Sequence, residues 1–256
     1  MTTKESEPYY GWVHVLDWLP QFILLGLGGL CVLVFAISSN DVPVTVLAVA
    51  INVLTGWPLL GYMYSWVRIN PGGWYDQIVR GAVVSGNELI LDLGCGLGRS
   101  TTFIAKSLRQ GQVIGVDIYS KRSLWGNSLL RARKNAEIEG VDDIVDFQYG
   151  DALAIPFPDD HFDVVVSAYL THEIRTREKR VKMMKEIARV LRPGGLLVSG
   201  EIPRSRAIFL RYLWFGYWFL SLNHLLDLRD QTGFEVLQEK WMSNSMVIIS
   251  KKPNLT

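Results

Sequence analysis

The stretch Leu89-Ile90-Leu91-Asp92-Leu93-Gly94-Cys95-Gly96-Leu97-Gly98 decides the fold. Its apolar run is short enough for a buried strand, ends in an acid and passes into a loop with glycine at every second position. A helical pattern begins near Arg99 or Ser100. Strand, tight turn and helix in that order open a doubly wound nucleotide-binding sheet. Glycine in such a loop turns the chain sharply or lets backbone approach a ligand with no Cβ between. The Asp92 carboxylate suits a ligand carrying an ammonium group or hydroxyls and would repel phosphate. The spacing is Gly-x-Gly-x-Gly, not the Gly-x-Gly-x-x-Gly of dinucleotide sites.

Working outward, Val113-Ile114-Gly115-Val116-Asp117 is a second apolar run ending in an acid, about 20 residues beyond the loop, where a carboxylate accepts ribose hydroxyls. A third run, Ile144 to Tyr149, leads into Gly150-Asp151-Ala152, which offers a carboxylate to an adenine amino group. Phe162 to Ala168 reads as another buried parallel strand. A helical pattern from Val181 to Leu191 enters Arg192-Pro193-Gly194-Gly195 and a strand, Leu196 to Ser199. Phe234 to Trp241 and Met246 to Lys251 read as a closing pair. These acids and glycines favour S-adenosylmethionine over NAD.

Together the glycine loop, the Gly-Asp-Ala element and the Leu-Arg-Pro-Gly-Gly turn resemble the class I S-adenosylmethionine-dependent methyltransferases, closest to their small-molecule and quinone-type branch. The likeness runs over about residues 74–251. It implies an α/β, Rossmann-like seven-stranded sheet with helices on both faces. It also implies a cofactor site of Asp92, Gly94, Gly96, Asp117, Ile118, Asp151, Ala152 and Ser167, with Tyr75 enclosing it. Catalytic candidates follow the fourth strand: Tyr169, His172 and Glu173. Related enzymes often carry a histidine or a His-Glu pair there, and an imidazole near neutral pKa can take a proton from a phenol. Plainer readings stay open: Asp151 as a turn residue, and His172 as a cap packed beneath the cofactor. The two cysteines and four histidines show no metal-ligand spacing.

Length allows one ordinary α/β domain plus an appendage in 256 residues, and a formal charge of +1 gives no electrostatic case for nucleic acid. Cys31 and Cys95 make no disulfide framework. Hydrophobic residues reach 49%, high for a soluble enzyme, and the excess lies at the N-terminus. No charge occurs between Asp17 and Asp41, nor between Asp41 and Arg68. Each span approaches the ~20 residues of a bilayer-crossing helix. Two transmembrane helices are therefore predicted, at about 18–39 and 43–67, turning at Asn40-Asp41-Val42-Pro43 and kinked at Pro58. Tyr9, Tyr10, Trp12 and Trp18 before them, and Tyr62, Tyr64, Trp66 and Trp74 after, suggest rings in the headgroup zone. A buried helical pair in a soluble fold is the alternative. Lys4, Arg68 and Arg80 flank the outer ends, which places both ends and the catalytic domain in the cytoplasm.

Residues 1–70 are thus read as a membrane hairpin and 71–256 as the methyltransferase domain. Within the latter, an insertion at about 204–226 sets Tyr212, Trp214, Phe215, Tyr217, Trp218 and Phe219 beside three arginines. That is the composition of an interfacial segment facing anionic headgroups. Its position implies a cover over a hydrophobic substrate; packing of its rings on the hairpin is the alternative. The expectation is a multi-pass membrane methyltransferase whose partners are the bilayer and a lipid-soluble acceptor. An isoprenoid quinone or phenolic lipid comes first and a headgroup amine second. A non-catalytic membrane scaffold retaining the cofactor fold is the rival.

Overall fold

The computed structural model describes residues 7–10, 15–39, 41–68, 77–78, 80–82, 85–121, 123–124, 126–242 and 245–254. At 15–22, 25, 39, 55, 59, 62–68, 214–215, 218 and 242 it describes backbone only. The chain divides into two compact units: one of residues 1–11, 71–203 and 220–256, the other of 12–70 and 204–219.

The first unit is built on seven strands: β1 (Leu89–Leu93), β2 (Gln112–Asp117), β3 (Val145–Tyr149), β4 (Phe162–Ala168), β5 (Leu191–Glu201), β6 (Glu235–Met242) and β7 (Ser245–Lys251). Their order is β3-β2-β1-β4-β5-β7-β6, parallel except where β7 runs antiparallel to β5 and β6. Alternation along each strand sends neighbours to opposite faces. Ile90, Val164 and Val198 meet Ile104 and Ala132, from the helices Arg99–Ala105 (here α3) and Leu129–Glu139 (α4). Leu91, Val165 and Leu197 meet Ile187 and Leu228, from Arg177–Val190 (α5) and Leu222–Asp230 (α7). Apolar residues thus face both ways, as a doubly covered parallel sheet requires. The expected Rossmann-like sheet with helices on both faces is present.

Two boundaries differ from expectation. β5 starts at Leu191 and runs to Glu201, taking in the Arg-Pro-Gly-Gly turn with a register shift opposite Phe162/Val164. The segment 204–226 is not one interfacial piece. It forms a helix, Arg206–Tyr212 (α6), and a 3-10 turn, Leu213–Trp218, in the second unit; α7 then returns to the first, burying Leu225 and Leu228.

In the second unit the charge-free spans form α1 (Val15–Ser39) and α2 (Val42–Arg68). Asp41 caps α2, its Oδ1 accepting from Val44 N at 3.1 Å, and the helix runs through Pro58. Among the described residues, however, no helix is long and apolar enough to cross a membrane. The predicted pair of transmembrane helices is therefore not found. Pro20 and Gln21 interrupt the first span, and Asn52 and Pro58 the second. The packing here is inverted. Gly29, Ala36, Ala48, Pro58 and Gly61 are buried, while Leu24, Leu27, Phe35, Ile37, Leu47 and Leu60 are exposed. Close helix approach demands the small residues: a Cβ on Gly29 would stand 2.8 Å from the Asn52 amide. Trp57 Nε1 donates to Leu210 O at 2.7 Å, joining α2 to α6.

Candidate active site

The site gathers at the C-terminal ends of β1, β2, β4 and β5. The glycine loop is fixed by backbone first: Gly94 N and Cys95 N donate to Val116 O at 2.8 and 3.2 Å. Gly96 N donates to Asp117 Oδ2 at 3.0 Å, tying the loop to the acid that ends β2. Gly98 stands at φ 81, and a Cβ there would lie 2.5 Å from the Phe147 ring, so only glycine starts α3 at this place.

Asp92 is fully buried. Its Oδ2 accepts from the Ser100 and Thr101 hydroxyls, each at 2.6 Å, while Oδ1 has no partner. Burial raises its pKa to about 6 against the opposing hydrogen bonds of Ser100 and Thr101, with Asp117 adding to the rise. Across the β1–β4 pairing Asp92 stands opposite Val166, and the hydroxyl of the next residue, Ser167, is buried and equally unpartnered. Buried polar atoms are normally satisfied, so two such atoms at adjacent strand ends indicate a polar ligand. Asp117 also accepts from Tyr119 N at 2.5 Å and from Asn127 Nδ2 at 3.4 Å; burial lifts its pKa while these bonds oppose the rise. Cys95 is buried with a raised pKa, caused first by desolvation and then by Asp92 and Asp117, and has no nucleophilic character.

The remaining expected cofactor residues fall out unevenly. Ile118 is exposed beyond Asp117 and Ala152 is buried. Asp151 is exposed and its Oδ1 accepts from Leu153 N at 2.9 Å, so in this state it holds its own turn. Tyr75 lies outside the described residues, as do Trp12 and Trp74. The side chains of Trp18, Tyr62, Tyr64, Trp66, Trp214, Phe215 and Trp218 lie outside them too. Tyr9 and Tyr10 are not headgroup rings. Tyr9 N donates to Asn135 Oδ1 at 2.9 Å, and Asn135 Nδ2 donates back to Tyr9 O and on to Leu97 O of the glycine loop. Tyr10 donates its hydroxyl to Glu139 at 2.8 Å and meets the Thr102 hydroxyl at 2.9 Å. Arg131 and Arg99 lie over the Tyr9 and Tyr10 rings. A run of polar partners on α3 and α4 thus captures rings that sequence proximity assigned to lipid.

Beyond β4 the chain turns through Tyr169 at φ 58 into a 3-10 turn, Thr171–Glu173. Leu170 of this turn packs against the loop, within 3 Å of where a Cβ on Gly94 would be. The Tyr169 and His172 rings stand T-shaped, centroids 6.5 Å apart, and the Tyr169 hydroxyl meets Ser245 Oγ at 2.9 Å. His172 Nδ1 lies 2.9 Å from Glu201 Oε2 and its Nε2 3.5 Å from the exposed Glu173. Burial opposes protonation of His172, but the hydrogen bond and charge of Glu201, with Glu173, outweigh it and raise the pKa; Arg180 opposes them. Sequence reading missed Glu201 and Asn127. The signal for Glu201 was the one used for Asp92 and Asp117: an acid closing an apolar strand.

Residues 90–195 match the methyltransferase domain family. They form a methyltransferase domain. The chain is 30% identical over 176 residues to a demethylmenaquinone methyltransferase of Symbiobacterium thermophilum, covering 68% of this chain and 66% of that one. It is 33% identical over 139 residues to a 2-phytyl-1,4-naphtoquinone methyltransferase of Synechococcus elongatus, covering 54% and 56%. It therefore spans slightly more than half to just under two thirds of these relatives' lengths. In fold it is similar to a SAM-dependent methyltransferase of Methanosarcina mazei, with a TM-score of 0.57, 21% identity, and coverage of 67% and 95%. The cofactor of this methyltransferase domain is S-adenosylmethionine, and the residues present fit it. Unpartnered Asp92 Oδ1 and Ser167 Oγ would accept from an ammonium or hydroxyl of it, while Asp117 Oδ2 already accepts from Gly96 N.

Proposed function

We propose that the chain transfers the methyl group of S-adenosylmethionine to a lipid-soluble hydroxylated acceptor, an isoprenoid quinol or phenolic lipid, while held at a membrane by its second unit. The observation that carries the methyl-transfer reading is the buried, unpartnered pair Asp92 Oδ1 and Ser167 Oγ beside the glycine loop, with His172 on the turn packed against that loop. When bound, the cofactor supplies an electrophilic methyl on a positively charged sulfur. The protein's part is to align the acceptor and to take a proton. His172 does the latter through Nε2, and Tyr169 and Glu173 flank it.

The relatives named for naphthoquinone and menaquinone precursors support the acceptor class. The inverted packing of the second unit supports the membrane. In water large apolar residues turn inward; here small residues fill the helix contacts and Leu, Ile and Phe face out, the arrangement suited to lipid. Positively charged flanks favour placing the methyltransferase domain on the cytoplasmic side. Full-length protein in detergent, given trideuteromethyl cofactor and a total lipid extract, should yield a trideuteromethylated lipid by mass spectrometry. A cofactor-binding protein that labels no lipid is the scaffold instead.

A further inference from the structure

Asn135 is wholly buried on α4, and its side-chain amide joins two segments far apart in the chain. Its Oδ1 accepts from Tyr9 N at 2.9 Å, and its Nδ2 donates to Tyr9 O at 2.7 Å and to Leu97 O at 2.9 Å. Towards residues 7–10, a short strap, the amide pairs in both directions as a second peptide group would. Towards the glycine loop it holds the carbonyl that precedes Gly98, whose positive φ turns the loop into α3. The amide is planar and offers two N–H donors, one to each segment, so a rotation that releases one disturbs the other. Were the strap to leave, Oδ1 and one N–H of a buried amide would lose their partners. Turning towards water relieves that cost at the expense of the Leu97 bond.

Two further contacts of the strap lead to the same pocket. The Tyr9 ring lies on Gly126, where a Cβ would stand 3.1 Å from it, and the φ of 72 there also calls for glycine. The neighbouring Asn127 is buried and donates to Asp117 Oδ1 at 3.4 Å and to Ser120 O at 3.3 Å. Tyr10 gives its hydroxyl to Glu139 and meets Thr102, which follows Ser100 and Thr101, the residues that hold Asp92. Arg131 and Arg99 over the two rings add cation–π attraction. The glycine loop, Asp117 and Asp92 are each reached from the strap by a short run of contacts. We infer that Asn135 is a positioning residue of the cofactor site, and that docking of residues 7–10 and binding of S-adenosylmethionine strengthen each other. The docked strap sets the loop and the two acids before the cofactor arrives, and such preorganisation raises affinity by removing an ordering cost from the binding step. The coupling is reciprocal: bound cofactor tightens the strap by the factor that the strap tightens the cofactor. The inference rests on the cofactor and is independent of the acceptor proposed above.

The test compares the full-length parent with Asn135→Ala and with the double variant Tyr9→Gly, Tyr10→Gly, all in detergent. Tyr9→Phe is the conservative variant and Gln238→Ala, on exposed β6, the control. In calorimetry Asn135→Ala should bind S-adenosylmethionine about 5- to 150-fold more weakly than the parent. The double variant should shift in the same direction, while Tyr9→Phe and the control should match the parent. In the parent, amide exchange of the peptide holding Tyr9 and Tyr10 should slow when cofactor is added, and Asn135→Ala should lose that response. A clasp that only supports the fold lowers the denaturant midpoint and leaves strap exchange indifferent to cofactor. Parent-like affinity in both variants overturns the inference. So does strap exchange in the parent that ignores saturating cofactor. If Asn135→Ala does not fold, the double variant, altered on the strap alone, carries the decision, and parent-like affinity in it again overturns the coupling. A parent that binds no S-adenosylmethionine refutes the cofactor assignment and the coupling together, a result distinct from a parent that binds it with an unresponsive strap.

Discussion

The two units place the same kinds of residue in opposite ways. In the first, Ile90, Leu91, Val165 and Ile187 are fully buried and charge gathers at strand ends, where Asp92, Asp117 and Glu201 face the site. In the second, glycine and alanine occupy the buried positions and Leu24, Phe35 and Leu60 face outward. Burying large apolar side chains is the main stabilising contribution in water, so a segment that forgoes it is built for a different solvent. The contrast teaches that overall hydrophobic content says little until it is resolved into which residues point where.

The most severe way to break this comparison is to make the second unit's outer surface polar. Replacing Leu24, Leu27, Phe35 and Ile37 with glutamine should remove roughly 6–12 kcal/mol of favourable transfer, at about 1.5–3 kcal/mol per side chain. The parent protein should stay in the pellet after carbonate washing, and the quadruple variant should pass to the supernatant with cofactor affinity intact. A parent that is soluble without detergent refutes the membrane assignment. Within the first unit, Gly98→Ala forces a Cβ into the Phe147 ring at a positive φ. It should cost roughly 2–4 kcal/mol of stability, read as a lowered denaturant midpoint.

Asp92→Asn sharpens the contrast by setting function against stability. A carboxylate whose pKa is raised to about 6 binds its proton more tightly in the folded than in the unfolded state. The native state therefore loses stability as pH climbs from the unfolded value towards 6, and the loss persists above it. The Asn variant should be more stable than the parent at pH 7.5 by roughly 1–3 kcal/mol, no more stable at pH 3.5, and deficient in cofactor binding. Destabilisation at both pH values would show that the charge is compensated. Asp117→Ala should weaken S-adenosylmethionine binding in calorimetry by roughly 1–3 kcal/mol with little change in folding. NAD binding in place of S-adenosylmethionine would contradict the cofactor assignment at its root.

Much of the first unit was legible because buried parallel strands write short apolar runs, and their ends are marked by acid or glycine. Asp92, Asp117 and the loop glycines followed from that rule. Glu201 escaped it for a local reason. Its apolar run gives way at Ser199-Gly200, so the acid at the strand's end was not counted among the site residues, although β7 pairs with β5 as far as Glu201, opposite Met246. Tyr9 and Tyr10 escaped for a global one. Their partners, Thr102, Asn135 and Glu139, lie 92 to 129 residues away, a distance no local pattern spans. Asn127 sits in a loop with no periodicity to mark it. In the second unit the helices and their turn were legible, and packing of the 204–226 rings on the hairpin was the open alternative; hydropathy alone did not foretell the division between 204–219, which join the helices, and α7, which does not.

The clasp of Tyr9 and Tyr10 on α3 and α4 has a consequence in polymer terms. Because residues 1–11 belong to the same compact unit as the sheet, everything from 12 to 70 is an excursion within a closed ring of chain. Closure entropy grows only as the logarithm of the excursion's length, so swapping those roughly 60 residues for a flexible linker of about ten should make the clasp easier to form by about 1.6 kcal/mol. Cutting the chain at 68 instead deletes the clasp along with the helices, and what is lost then mixes two unrelated causes. The cleaner water-soluble derivative is the shortened ring, in which the first eleven residues keep their covalent path to Asn135.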